Sequence, residues 1–202
     1  MRLKHYINES EDIPWEQIKK DCQPFIKEIK NPNCFLYSGR KEKLPYIKKK
    51  VRKDRKPLDT PEVIHNALND IFKKKFGIKL RSESLFVSKC IGQASGYGTP
   101  YIILPIGKYK LYSNTDITDL YSSLNQYVNL TELVEFWTTE YIKPAKEDFM
   151  NRAQKIVDGY KETTSPVKQR DKQEIMLVCD EYYAINAEKT LVQELLIKLY
   201  KD

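Results

Sequence analysis

Three short stretches hold the residue types that could do chemistry. Residues 172–177, KQEIML, set Glu174 at the first position of an apolar strand, directly after a polar loop. A carboxylate held there can point into a cleft, orient a ribose hydroxyl and stabilise the positive charge that builds up on an anomeric carbon during glycosyl transfer. A solvated glutamate at a strand entry fits the same position. Residues 36–40, LYSGR, end in Gly39 and Arg40. A glycine there lets backbone approach a ligand closely, and an arginine can hold a phosphate through two hydrogen bonds. Residues 81–98 set Ser84, Phe86 and Ser88 on one face of a strand by alternation, and Tyr97 between two glycines. Aromatic rings beside small hydroxyl residues suit a flat heteroaromatic ring, which needs stacking and a few hydrogen bonds. A core strand followed by a tyrosine-bearing turn is the plainer reading.

The elements that must position these residues follow from periodicity and punctuation. Ser10 can cap a helix whose first turn carries Glu11 and Asp12, with Trp15, Ile18 and Cys22 on its inner face until Pro24 interrupts it. Residues 34–37, CFLY, form a short strand. A helix then runs from a Thr60 cap and Pro61 to Gly77, with Ile64, Leu68, Phe72 and Phe76 in one stripe. Residues 84–88, 101–107 and 108–113 are strands, with a tight turn or short helix between the first two. Residues 115–160 form a mostly helical insert. A polar loop over 161–173 leads to EIMLVCD and YYAIN, a hairpin-like pair of strands, and KTLVQELLIKLY closes the chain as a helix. This order predicts one α+β domain over 1–202 with a mostly antiparallel sheet.

Of 202 residues, 41% are hydrophobic and 14 are tyrosines, which suits a globular core. No run approaches the ~20 apolar residues of a membrane helix, and residues 1–15 hold no apolar core of a secretory signal. Cys22, Cys34, Cys90 and Cys179 form no CxxC pair and read as reduced thiols of a cytoplasmic protein. His5 and His65 are the only histidines, so neither a zinc site nor a catalytic histidine is expected. The net charge of +7 is concentrated: residues 40–56 hold ten basic and two acidic residues, and the rest of the chain sums to −1. Lys48, Lys49, Lys50, Arg52 and Arg55 in this stretch are candidate contacts for nucleic acid or phosphate, with a solvated loop as the alternative.

Together the three stretches resemble the ADP-ribosyltransferase superfamily, in the toxin and phage lineages with an Arg–Ser–Glu layout. In that family the first strand ends in an Arg-Gly that grips NAD. The second motif is a Ser-containing strand followed by an Ala and an aromatic three residues on, here Ala94 and Tyr97. The third is a glutamate opening a strand, then a short turn and a second strand, here KQEIMLVCDEYYAIN. The resemblance implies a split, mostly antiparallel sheet flanked by helices. It also implies a mono-ADP-ribosyltransferase with NAD as substrate and no metal. Glu174 is then the catalytic carboxylate, with Ser88 supporting it, and Tyr37, Ser38, Gly39, Arg40, Ser84, Phe86 and Tyr97 lie around NAD. The loop over 161–173 corresponds to the one that meets a macromolecular acceptor, protein or nucleic acid. The setting it implies is a phage or bacterial effector, in the host cytoplasm if viral.

This chain departs from the family at two positions. Ser38 stands where the arginine precedes the glycine, and Arg40 follows it, so Arg52, Arg55 or Arg81 are alternative cations. Lys172 stands where arginine-modifying members carry Glu or Gln, which argues against arginine as the acceptor. Two readings compete: a non-enzymatic nucleic-acid-binding protein built on the basic stretch and the tyrosines, and a degenerate transferase fold used as an interaction module.

Overall fold

In the computed structural model of the chain, residues 13–29, 31–56, 60–126, 130–135, 137 and 143–200 are described. The expected cap at Ser10 with Glu11 and Asp12, and His5, lie outside them.

Helices flank two four-stranded antiparallel sheets, which is the α+β class expected. The first sheet runs β1 (Tyr37–Arg40), β4 (Thr99–Pro105), β8 (Glu181–Asn186) and β2 (Tyr46–Lys50), and the second β3 (Leu85–Val87), β7 (Ile175–Val178), β5 (Lys110–Ser113) and β6 (Lys161–Thr163). An isolated antiparallel bridge between Tyr37 and Ser88 joins them. Tyr37 N donates to Ser88 O at 2.7 Å, and Ser88 N donates to Tyr37 O at 2.9 Å.

Strand alternation sorts the second sheet's side chains between two cores. Val87, Leu111, Ile175 and Leu177 pack toward the first sheet. Phe86, Tyr112 and Met176 point the other way, into a core shared with α3 (Glu62–Phe76), α6 (Leu120–Asn125), α7 (Leu130–Glu135) and α8 (Lys143–Asp158). On α3, Ile64, Leu68 and Phe72 are fully buried, as the stripe predicted, and Gly77 ends the helix in the left-handed region at φ 76°. On the outer face of the first sheet, α1 (Trp15–Asp21), followed by the short α2 (Gln23–Ile26), meets α9 (Lys189–Tyr200) where Trp15 Nε1 donates to Glu194 Oε1 at 2.6 Å. Tyr183 donates its hydroxyl to Asp21 of α1 at 3.0 Å, so the alternating Tyr182 faces the second sheet.

Several elements differ from the sequence reading. β7 and β8 are not a hairpin: Cys179 and Asp180 carry the chain from one sheet to the other. Two strands only a short turn apart look like a hairpin in sequence, but each finds its partners far along the chain. The loop over 161–173 begins with β6, paired to β5, and the middle of the basic stretch, Tyr46–Lys50, is the edge strand β2. Charged lysines are a common means of keeping an edge strand from pairing with other chains. Residues 32–34 form a 3-10 turn, and the strand expected at 34–37 starts at Tyr37. Thr60 does not cap α3; its hydroxyl accepts from Arg81 Nη2 at 2.9 Å instead.

Glycine is required where the turn after α5 (Ile91–Ser95) lies against β1. A Cβ on Gly39 would collide with the Ala94 carbonyl oxygen and come within 2.8 Å of the Tyr97 backbone carbon. Gly98, at φ 135°, faces the Arg40 backbone just as tightly. Backbone atoms cannot move aside cheaply. Gly39→Ala should therefore cost roughly 2–4 kcal/mol, within the range that strain and overpacking reach, read as a drop in the urea midpoint. An unchanged midpoint would show that the turn is not seated on β1.

Candidate functional site

The bridge sets the geometry of the site. β3 and β7 pair with Val87 opposite Ile175 and Phe86 opposite Met176. One register step further, Ser88 stands across from Glu174. Ser88 spends its backbone N–H and C=O on Tyr37, and Glu174 N donates to Thr118 O at 2.8 Å. Facing residues that do not bond each other through the backbone stand about 4.5 Å apart at Cα. Tyr37, Ser88 and Glu174 therefore form one row across β1, β3 and β7, from stretches distant in sequence. Phe86 and Met176 continue the same face.

Two arginines stand over that face. The Arg55 guanidinium carbon is 4.0 Å from the Phe86 ring centroid, and that of Arg81 is 5.6 Å from it. Arg55 arrives from the basic stretch, its backbone N–H bonded to Ser82 O at 3.1 Å. Arg81 lies on α4 (Leu80–Glu83) and is only 6% exposed. A buried polar network holds that short helix: Asn69 Oδ1 accepts from Arg81 N at 3.1 Å, Asn69 Nδ2 donates to Ser82 Oγ at 2.7 Å, and His65 Nε2 lies 2.9 Å from Ser82 Oγ. Burial and the two arginine cations push the proton affinity of His65 down to about 4, so it is neutral and no third cation.

Glu174 keeps part of its surface in solvent, yet its carboxyl is pushed up from 4.5 to about 7. Burial is the largest cause, Arg81 pulls the other way, and the Asp119 carboxylate pushes up again. The Tyr160 hydroxyl lies 3.5 Å from Glu174 Oε1. Asp119 accepts from Ser122 N at 2.6 Å, capping α6, and the Tyr160 hydroxyl is itself raised by burial and by Glu174.

The predicted residues divide into two groups. Glu174, Ser88, Phe86, Tyr37 and Arg55 share the seam, and Tyr97, 65% exposed, lies near enough for its hydroxyl to act electrostatically on Arg55. The Ser88 hydroxyl is committed to Gln93 Oε1 at 2.7 Å and accepts from Cys90 N at 3.1 Å, so it braces the turn into α5. Ser84 donates to Leu80 O at 2.5 Å and anchors α4, a structural task. Phe86 carries guanidinium groups, not an open face for a heteroaromatic ring. The close approach at Gly39 is made by the chain's own turn. Ser38 and Arg40 alternate to the opposite side of β1, where the Arg40 guanidinium lies 5.0 Å from the Tyr182 ring. Lys48, Lys49, Lys50 and Arg52 are exposed, apart from the seam; Lys49 pairs with Glu42 and Lys48 lies over Tyr183. Asp119 and Tyr160 belong to the insert, and no motif in their neighbourhood marks them.

No helix among the described residues is long and apolar enough to cross a membrane. Among those residues no group of three His, Cys, Asp or Glu could hold a metal ion. Two surface depressions, one beside Glu16 and Lys27 and one bordered by Tyr109 and Cys179, include none of the predicted residues. Compared with protein-family models, curated proteins and solved structures, the chain matches none.

A carboxyl whose folded-state proton affinity is raised stabilises the fold when protonated, and that contribution is lost as pH rises through the folded value. For Glu174 the window is pH 4.5 to 7. With solvent access discounted, native stability should fall on the order of 1–2 kcal/mol between pH 5 and 8 through this group. Glu174→Gln, which resembles the protonated acid, should lose that slope in urea titrations across the range. A slope unchanged in the variant would assign it to other groups.

Proposed function

We propose that the chain transfers ADP-ribose from NAD to a macromolecular acceptor. The observation that carries this reading is the row Tyr37–Ser88–Glu174, in which three stretches distant in sequence meet on adjacent strands. Glu174 immediately precedes β7 and borders solvent, as a carboxylate must to reach a ribose. In the proposed step the bond between the ribose C1′ and the nicotinamide nitrogen breaks, and its electron pair leaves with neutral nicotinamide. Positive charge develops at C1′ and the ring oxygen, opposite the Glu174 carboxylate. A nucleophile of the acceptor forms the new bond to C1′ and gives up its proton. The exposed turn at Tyr97 and the segment over 164–173 flank the row: the Ser88 hydroxyl reaches Asp171 O at 3.2 Å, and Lys89 Nζ donates to Gln169 O at 3.0 Å. Both are suited to meet an acceptor.

Incubation with NAD labelled in its adenylate half and a cell lysate tests the reading, and nuclease or protease digestion of the labelled product reports the acceptor class. Glu174→Gln should lower transfer about 10²–10³-fold, the usual scale for losing one fixed electrostatic stabiliser, while NAD binding persists. Glu181→Gln, seven residues on at the start of β8, should change little. Because the carboxylate form is the active one, kcat/KM should climb with pH toward a plateau, with a midpoint near 7. Full activity in Glu174→Gln would sink the assignment.

A further inference from the structure

The least satisfied charge at the seam is that of Arg81. Its Nη2 bonds Thr60, but Nε and Nη1 are buried with no hydrogen-bond partner. A guanidinium that is 94% buried with unused N–H groups carries a desolvation cost that a bound partner would relieve. Arg55 shares the Phe86 ring with it, half-buried, and no carboxylate among the described residues lies within ion-pair distance of either. Glu174 acts on both only from a longer range. Two like charges brought to one ring, one backed by a polar network and neither neutralised, are costly as pure architecture. They suit a divalent anion.

We propose that Arg81 and Arg55, seated on Phe86, form a phosphate-binding site beside Glu174 that takes a diphosphate or phosphoester group. Phosphate oxygens would accept from Arg81 Nε and Nη1, while Arg55, on a stretch with solvent access, closes from the other side. The Phe86 ring holds both guanidinium planes through cation–π contact without competing for their hydrogen bonds. The departure at Ser38 becomes consistent: with Ser38 where an arginine is expected and Arg40 turned toward Tyr182, phosphate binding falls to a cation pair from another part of the chain. That the phosphate arrives on a dinucleotide rests on the NAD reading above. The cation pair itself does not.

Calorimetric titration of the full chain with pyrophosphate, ADP and adenosine tests the site. Pyrophosphate and ADP should bind saturably, with affinity falling as salt rises, and adenosine should not bind. ADP binding tighter than pyrophosphate would assign the site to a nucleotide, and equal binding to phosphate alone. Arg55→Gln should weaken both roughly 10- to 100-fold, as expected for loss of charge-assisted hydrogen bonds, and should leave the fold intact. Arg81→Lys keeps the charge but loses the planar donors, and should weaken binding comparably; if it fails to fold, Arg55→Gln decides alone. No saturable binding of either phosphate probe at millimolar concentration, or undiminished binding by Arg55→Gln, overturns the proposal. If ADP binds through Arg55 but NAD is never consumed, the transfer reading falls and the anion site stands. If NAD is consumed with KM and ADP affinity unchanged in Arg55→Gln, the reverse holds.

Discussion

The two backbone hydrogen bonds between Tyr37 and Ser88 are the constraint on which the rest depends. They occupy the edges of β1 and β3 that would otherwise be open, and they turn two sheets into one folded surface. Because side chains alternate with period two, they also decide which faces are continuous. Ile175 and Leu177 must then point between the sheets, and Glu174, Phe86 and Ser88 outward. A slip of one residue by β7 along β3 would bury Glu174 between the sheets and turn Ile175 and Leu177 outward. The apolar residues of the inner face thus hold the carboxylate in place by fixing the register of its strand.

The seam carries two cations and two carboxylates that do not resolve into ion pairs. Arg55 and Arg81 stand over Phe86, Asp119 caps α6 and also hydrogen-bonds Glu174, and the proton affinity of Glu174 is displaced toward neutrality. A purely structural cluster would be expected to close into bidentate pairs, as Arg–carboxylate contacts elsewhere in proteins do. Here partnerless guanidinium nitrogens remain inside the protein while a carboxylate stays at its edge. Displaced proton affinities and unpaired buried donors in one place mark the seam as a candidate site.

Much of the fold was legible in the sequence, because helices announce themselves by period. The stripe on α3, the helical insert, the left-handed stop at Gly77 and the closing helix all follow from spacing and a glycine. Strand existence was legible too, but pairing was not. EIMLV and YYAIN look like a hairpin only because they are close in sequence, and nothing local tells that each prefers partners far back along the chain. Glu174 and Ser88 stand out as candidates because strand ends bearing lone polar residues are conspicuous, and the fold sets them opposite each other. Arg81 was visible only as one alternative cation, since burial of a charge depends on Thr60, Asn69 and the ring of Phe86, which meet only in the fold. Gly39 was noticed for the right reason, close backbone approach, with the wrong visitor.

The cation pair and Glu174 are coupled, and the coupling has a direction. Arg81 and Arg55 both favour the ionised carboxylate. An anion held on them would offset that pull and raise the proton affinity of Glu174 further. On the proposed reading, binding the phosphates alone would therefore work against the carboxylate form, and the positive charge developing on the ribose would restore it. The linkage is reciprocal: whatever favours ionised Glu174 must also weaken the anion's hold by the same factor. Such a site holds its substrate loosely while Glu174 is charged. Its charge is best compensated when the ribose itself becomes cationic, so the stabilisation is spent on the transition state and not on the ground state.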